Sequence, residues 1–314
     1  MERPVFNDTN PNSQLGIFLL FSFAGFLVFF LMAYILSALF FKTSILNLTD
    51  LTNYQNIEVL KFIQIVFSTG LFIIVPVILA YLFSGNSFRY LKVVKFPTLS
   101  GLGLVIIIMI TAIPLINLLA SLNSRIKFPA FMSGLEKYLI DSEKANDTMT
   151  EVFLNVKTLP GFAVNILMIA IIPAIGEEFF FRGILQRILT NLSRNYHTGI
   201  IITAFIFSAI HMQFYGFFPR WLLGIMFGYM FVWSGNLWLP ILAHFINNSL
   251  DVLAYYLVNA KLLNPKILDF GSPKDFTTVV ILITIVMSAV MCLGLYALHK
   301  NKLQLSENIN NSNK

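Results

Sequence analysis

The chain has 314 residues, 57% hydrophobic and 11% charged, with a mean hydropathy of +0.78. A soluble globular domain carries about a quarter charged residues, so this composition excludes one and points to an integral membrane protein. The net charge of +6 is spread over loops and the C-terminal tail. No basic stripe with interleaved aromatics appears, which speaks against nucleic acid and suits anionic lipid headgroups.

The segment from Met1 to Gln14 is polar and lacks a basic n-region, and the apolar run after it is too long for a signal-peptide core. Eight apolar runs follow, each compared with the roughly 20 residues needed to cross about 30 Å of hydrocarbon. They are Leu15–Phe41, Phe62–Phe83, Leu99–Leu122, Phe162–Leu189, Gly199–Met212, Trp221–Trp233, Leu239–Val258 and Thr277–Leu298. The fifth and sixth are short, which predicts short or tilted helices. None alternates like a barrel strand, so the prediction is an all-α polytopic protein of about eight transmembrane helices. It reads as a single membrane domain over 1–314, with a catalytic core at about 162–258.

The one long connection, 123–160, mixes Arg125, Lys127, Lys137 and Lys144 with Glu136, Asp141, Glu143 and Asp147. It reads either as amphipathic helices lying on the membrane surface or as a solvated linker. No internal repeat supports an inverted-repeat transporter. Seven Lys/Arg residues fall on the side of the termini, against six in the opposite short loops, Arg220 among them. That small excess places the termini in the cytoplasm. The single cysteine, Cys292, excludes an intrachain disulfide and a multi-thiolate metal site.

The fourth run carries the chemistry. Glu177, Glu178 and Arg182 stand in an otherwise apolar helix, where insertion scales set each charge at about 2.5–3.5 kcal/mol at mid-membrane. Glu178 and Arg182 are four apart and share a helix face, acid before base. Glu177 lies about 100° round the helix, outside that pairing. The bland alternative is a buried ion pair that only fixes packing. Pro173 frees the carbonyl of Ile169, which is expected to favour access by water.

Two later runs add His211 and the set His244, Asn248 and Asp251. The latter three fall at i, i+4 and i+7 and line one helix face. Glu177, His211, His244 and Asn248 together would form a hydrolytic centre. A desolvated glutamate suits a general base acting on water, with an imidazole on the other side of that water. A second imidazole and an amide N–H suit an oxyanion. The alternative is zinc held by Glu177, His211 and His244, with a fourth position for water, so the cofactor reading is none or Zn. Ser208 lacks the turn of a nucleophile elbow and reads as packing. Gly224 and Gly228 form a G-x-x-x-G that allows close helix approach, and Trp221, Trp233 and Trp238 read as interfacial anchors.

In order, Glu177-Glu178-x-x-x-Arg182, Phe207-x-x-x-His211 and His244-x-x-x-Asn248 resemble the three motifs of the CAAX-protease and bacteriocin-processing (CPBP) intramembrane proteases, also called the abortive-infection family. Gly183 and Gln186 extend the first motif in the usual way. The resemblance covers about Ile172 to Asn248 and implies an eight-helix fold around an intramembrane cavity. It implies that Glu177 activates water with His211, that His244 and Asn248 form the oxyanion site, and that Glu178 and Arg182 support them. It further implies a membrane-anchored protein or peptide substrate, prenylated CAAX proteins or bacteriocin leaders being examples. The short chain and the absence of a targeting segment read as bacterial, so the expected location is a bacterial inner membrane. The rival class is a proton-coupled transporter relaying protons through the same Glu and His residues.

Overall fold

The structure, a computed structural model, describes residues 5–6, 9–42, 53–126, 128–266 and scattered positions between 282 and 300. Among these there is no β-strand. Helix α1 (Pro11–Phe41) starts where Asn10 caps the Ser13 amide and Pro11 opens the first turn. Next comes one long rod: α2 (Tyr54–Ser68), a π-helical stretch (Thr69–Ile74) and α3 (Val75–Ser84). A short α4 (Ser87–Tyr90) leads to α5 (Leu99–Asn123), capped by Thr98.

Helix α6 (Ser133–Leu154) lies within the long connection. The second rod runs from Leu159 to Ser193 without interruption. It consists of α7 (Leu159–Asn165), a π-helical stretch (Ile166–Ile171), α8 (Ile172–Glu177), a second π-helical stretch (Glu178–Leu185) and α9 (Gln186–Ser193). Then follow α10 (Tyr196–Ala209), α11 (Phe217–Ser234) and α12 (Trp238–Asn259). The first seven apolar runs fall on these helices, except that the fifth overruns the end of α10 by three residues. The eighth, with Cys292, lies largely outside the described residues.

Among the described residues, five helices are long and apolar enough to cross a membrane: α1, the two rods, α5 and α12. Helix α10 is apolar but shorter. Large side chains such as Leu20, Phe23, Leu39 and Phe40 stand exposed on α1. An apolar exterior of this kind belongs in lipid, so this is an integral membrane protein.

Two apolar clusters hold the bundle together. One packs Phe179, Phe180, Phe181 and Ile184 of the second rod against Leu71, Val75 and Leu79 of the first, with Phe18 of α1. The other joins Val105, Ile108 and Met109 of α5 to Met226, Phe227 and Met230 of α11 and to Leu239 and Ala243 of α12. The rods meet at their irregular turns. In each, a proline (Pro76 or Pro173) sits just beyond a π-helical stretch. At Gly176 an added Cβ would lie 2.8 Å from the Phe72 Cβ, so only glycine lets the rods come this close.

Helix α6 is tied down at its C-terminal end. Its last carbonyls, Phe153 O and Leu154 O, accept from Asn165 Nδ2 (2.7 Å) and Asn259 Nδ2 (2.9 Å), and Phe153, Leu154 and Asn165 are buried. These amides satisfy groups that a helix end leaves without partners. They anchor α6 to α7 and to the end of α12.

Candidate active site

Glu178 is the hub. One carboxylate oxygen, Oε1, accepts from Arg182 Nη1 at 2.7 Å and lies 3.0 Å from His244 Nδ1, which donates to it. The Glu178 and Arg182 side chains are both 0% exposed. The helical i,i+4 spacing therefore does meet, inside a region where an unpaired charge would be costly. Arg182 extends the network: Nη2 donates to the Gly224 carbonyl at 3.1 Å, and its guanidinium packs over Phe207 (4.7 Å) and Phe227 (5.4 Å). One turn on, Gln186 Nε2 donates to Gly228 O at 3.3 Å. The two glycines bring α11 against α10, where a Cβ at Gly224 would lie 2.9 Å from the Ala204 Cβ. They thereby offer their carbonyls to the second rod.

Glu177 has a different setting. Its side chain keeps 16% exposure, and its Oε2 lies 3.8 Å from His244 Nε2. That separation is too long for a direct hydrogen bond and is the kind a water bridges. Since Nδ1–H of His244 is engaged by Glu178, a neutral ring presents Nε2 to Glu177 as an acceptor. Phe227 stacks on the ring at 5.5 Å. The imidazole is thus fixed by a carboxylate on one edge and an aromatic face on the other.

Asn248 sits one turn beyond His244 on α12. Its Nδ2 donates to Ile169 O at 2.9 Å, and its Oδ1 accepts from Asn247 Nδ2 at 3.1 Å. This corrects the expectation for the carbonyl freed by Pro173. It meets the Asn248 amide instead of standing open to water. One amide hydrogen of Asn248 remains. Asp251, on the same helix face by spacing, is exposed.

His211 lies just past the end of α10, and its Nδ1–H donates to Phe207 O at 2.7 Å. That bond leaves Nε2 as the free nitrogen. The loop around it is pinned from several sides. Ser208 Oγ donates to Phe217 O (2.7 Å), which gives that serine a structural task. Glu143 of α6 accepts from the Tyr215 amide at 3.0 Å, and Asn123 of α5 donates to Phe214 O. Of the tryptophans read as membrane anchors, Trp238 donates through Nε1 to Val93 O at 2.9 Å, so it also ties α12 to the loop before α5.

Arg220, counted from sequence as a loop charge, belongs to this region. It lies four and seven residues before Gly224 and Phe227, on the α11 face that meets Arg182 and His244. Its Nη2 donates to Gln213 Oε1 at 2.6 Å, while Nη1 is buried without a partner among the described residues. Glu177, His211 and Glu143 are all within its electrostatic reach. Glu143 was likewise read only as one charge of a mixed segment. The i, i+4, i+7 spacing of Arg220 was the signal available in the sequence.

Zinc would need several donors turned to one point. Among the described residues, no three His, Cys, Asp or Glu side chains gather in that way. His211 and His244 each have Nδ1 engaged and Nε2 free, a state that suits a ligand, but no third donor gathers with them among the described residues, and the bonded oxygen of Glu178 is shared by Arg182 and His244. The residues as arranged do not fit the metal.

The model of the type II CAAX prenyl endopeptidase Rce1-like family matches residues 159–250, a stretch that contains all three motifs. The uncharacterized protein YpbD of Bacillus subtilis is 35% identical over 89 residues, covering 26% of this chain and 41% of that protein. An uncharacterized 24.3 kDa protein of Escherichia coli is 31% identical over 115 residues, covering 35% of this chain and 52% of that protein. The chain thus spans about half, or less, of the curated relatives it matches. No solved structure matches it. From residue 159 to residue 250, where the paired glutamates, the arginine and both histidines lie, the chain is similar to the type II CAAX prenyl endopeptidase Rce1-like family.

Proposed function

We propose that this protein is an intramembrane endopeptidase that hydrolyses a peptide bond of a membrane-associated protein or peptide, using water activated by Glu177. The observation that carries the reading is the contrast between two adjacent glutamates. Glu178 is wholly buried and bonded to Arg182 and His244, whereas Glu177 is partly open and has no direct ion pair with a lysine or arginine among the described residues. A packing device needs only the first; a general base needs the second.

In this reading Glu177 takes a proton from water as the water oxygen bonds to the scissile carbonyl carbon and the carbonyl π pair moves onto oxygen. His211 holds the water through Nε2. Collapse of the tetrahedral intermediate breaks the C–N bond, and Glu177 returns its proton to the leaving amine. Asn248 supplies its remaining amide hydrogen to the oxyanion, joined by His244 when that ring is protonated. Glu178 and Arg182 hold His244 and the α11 backbone in place.

The substrate is membrane-anchored, α6 lies at the membrane surface, and the protein sits in a bacterial inner membrane with its termini in the cytoplasm. The two bacterial relatives fit that location. The test is cleavage of internally quenched peptides by purified protein in detergent, with Glu177→Gln as the silent control. Proton flux across liposomes without peptide cleavage would instead select the proton-coupled transporter.

A further inference from the structure

Arg220 is a partly buried cation whose Nη1 is buried, it has no ion-pair partner among the described residues, and it is bonded to the loop that follows His211. A buried guanidinium is ordinarily paired, because removing it from water uncompensated is costly. Arg182 obeys that rule through Glu178. Arg220 makes a single side-chain hydrogen bond, to the neutral amide oxygen of Gln213, and its Nη1 makes none among the described residues. Gln213 is two residues past His211, so the guanidinium is tethered to the loop that carries that histidine. Arg220 also shares the α11 face of Gly224 and Phe227, which contact Arg182 and His244. It is left with an unused donor next to the loop that carries His211.

The donors around the site explain what that group is for. Neutral His244 has its N–H on Glu178, His211 has its N–H on Phe207 O, and Asn248 has one of its two amide hydrogens on Ile169 O. A tetrahedral intermediate in a water-poor cavity needs more than the one neutral N–H that remains. We propose that Arg220 is a further catalytic residue, whose unpartnered guanidinium N–H binds the scissile carbonyl oxygen as negative charge develops on it. The inference rests on the hydrolase reading above. The electron pair that leaves the C=O bond is held there by a permanent cation until the C–N bond breaks and the carbonyl re-forms. No proton passes through Arg220, which stays charged throughout.

The experiment compares wild type with Arg220→Lys, Arg220→Gln and Arg220→Ala on a quenched peptide, together with affinity for a phosphinic analogue of that peptide, whose tetrahedral anion mimics the intermediate. Loss of an oxyanion donor costs about 10²–10³-fold in kcat. Arg220→Gln and Arg220→Ala are therefore expected to lose about that much kcat with KM little changed, and to bind the phosphinate about 10²-fold less tightly. Guanidinium ion should restore part of the activity of Arg220→Ala, an effect that a merely structural role does not give. If the truncated variants fail to fold, Arg220→Lys decides: it keeps the charge, loses the planar fork and should show the same loss of phosphinate affinity in reduced form. Unchanged kcat, a change confined to KM, or an activity loss that tracks thermal stability without guanidinium rescue would overturn the proposal. Absence of peptide cleavage by the wild type would overturn the hydrolase reading itself, and this inference with it.

Discussion

Asn248 and Ile169 are joined by a 2.9 Å hydrogen bond, from a side-chain amide on α12 to a carbonyl that Pro173, four residues on, cannot serve. The bond fixes the angle at which the second amide hydrogen points. Asn248→Ala removes that hydrogen and orphans a carbonyl at once. It is expected to lower kcat by about 10²-fold or more, with KM little altered, because an oxyanion donor acts mainly in the transition state. Steady-state kinetics on a quenched peptide checks this. A rise in KM at constant kcat would assign Asn248 to substrate binding instead.

The two glutamates should separate cleanly on substitution. Glu177→Gln keeps volume and removes the proposed base, so hydrolysis should vanish while the thermal midpoint in detergent stays close to wild type. Glu178→Gln and Arg182→Ala each break a pair whose side chains are 0% exposed. Removing one partner of such a pair costs about 3–5 kcal/mol. Both variants should therefore melt well below wild type and also lose activity. Near-wild-type turnover by Glu177→Gln would reject that residue as the base.

Metal content gives a third measurement. The donor arrangement around Glu177, His211 and His244 does not fit zinc, so activity is expected to survive prolonged chelation. Mass spectrometry of active protein should find no stoichiometric metal. Zinc lost and regained together with activity would show that these side chains regroup around an ion.

Glu143 offers a test remote from the chemistry. Its Oε2 accepts from the Tyr215 amide at 3.0 Å, in the loop that follows His211. Glu143→Ala leaves that N–H without its acceptor, which should cost about 1–3 kcal/mol locally. Hydrogen exchange at Tyr215 should accelerate, and kcat should fall several-fold through misplacement of His211, with Glu143→Gln, which keeps an acceptor oxygen, losing less. Equal exchange in wild type and Glu143→Ala would remove α6 from the support of the site.

Much of this arrangement was legible in the sequence because its signals are short-range. The Glu178–Arg182 pair follows from a four-residue spacing, and the common face of His244 and Asn248 follows from another. The first seven apolar runs announce helices by length and composition alone. What escaped were meetings between distant segments. The carbonyl of Ile169 could be seen to be free, but its partner lies 79 residues away. Glu143 sits in a stretch that reads as mixed surface charge and only packing carries it inward, while Arg220 was counted as loop charge although its spacing to Gly224 and Phe227 marks one face of α11. The π-helical stretches were invisible for another reason: apolar periodicity is too coarse to distinguish 3.6 residues per turn from a slightly wider winding over six to eight residues.

Those wider turns bear on how the rod tolerates changes of length. A π-helical stretch holds one more residue than the α-helical turns it replaces, since its bonds reach i+5 instead of i+4. Deleting one residue between Ile166 and Ile171 should thus let this part of the rod rewind as plain α-helix, with Glu177 and Glu178 still facing their present neighbours. The same deletion between Ile172 and Gly176, where no slack is stored, would swing both carboxylates by about 100° round the axis. Tolerance to loss of a single residue should accordingly be confined to the segment ahead of Pro173, a pattern that a one-residue deletion scan across 160–176 would reveal as a narrow permissive window.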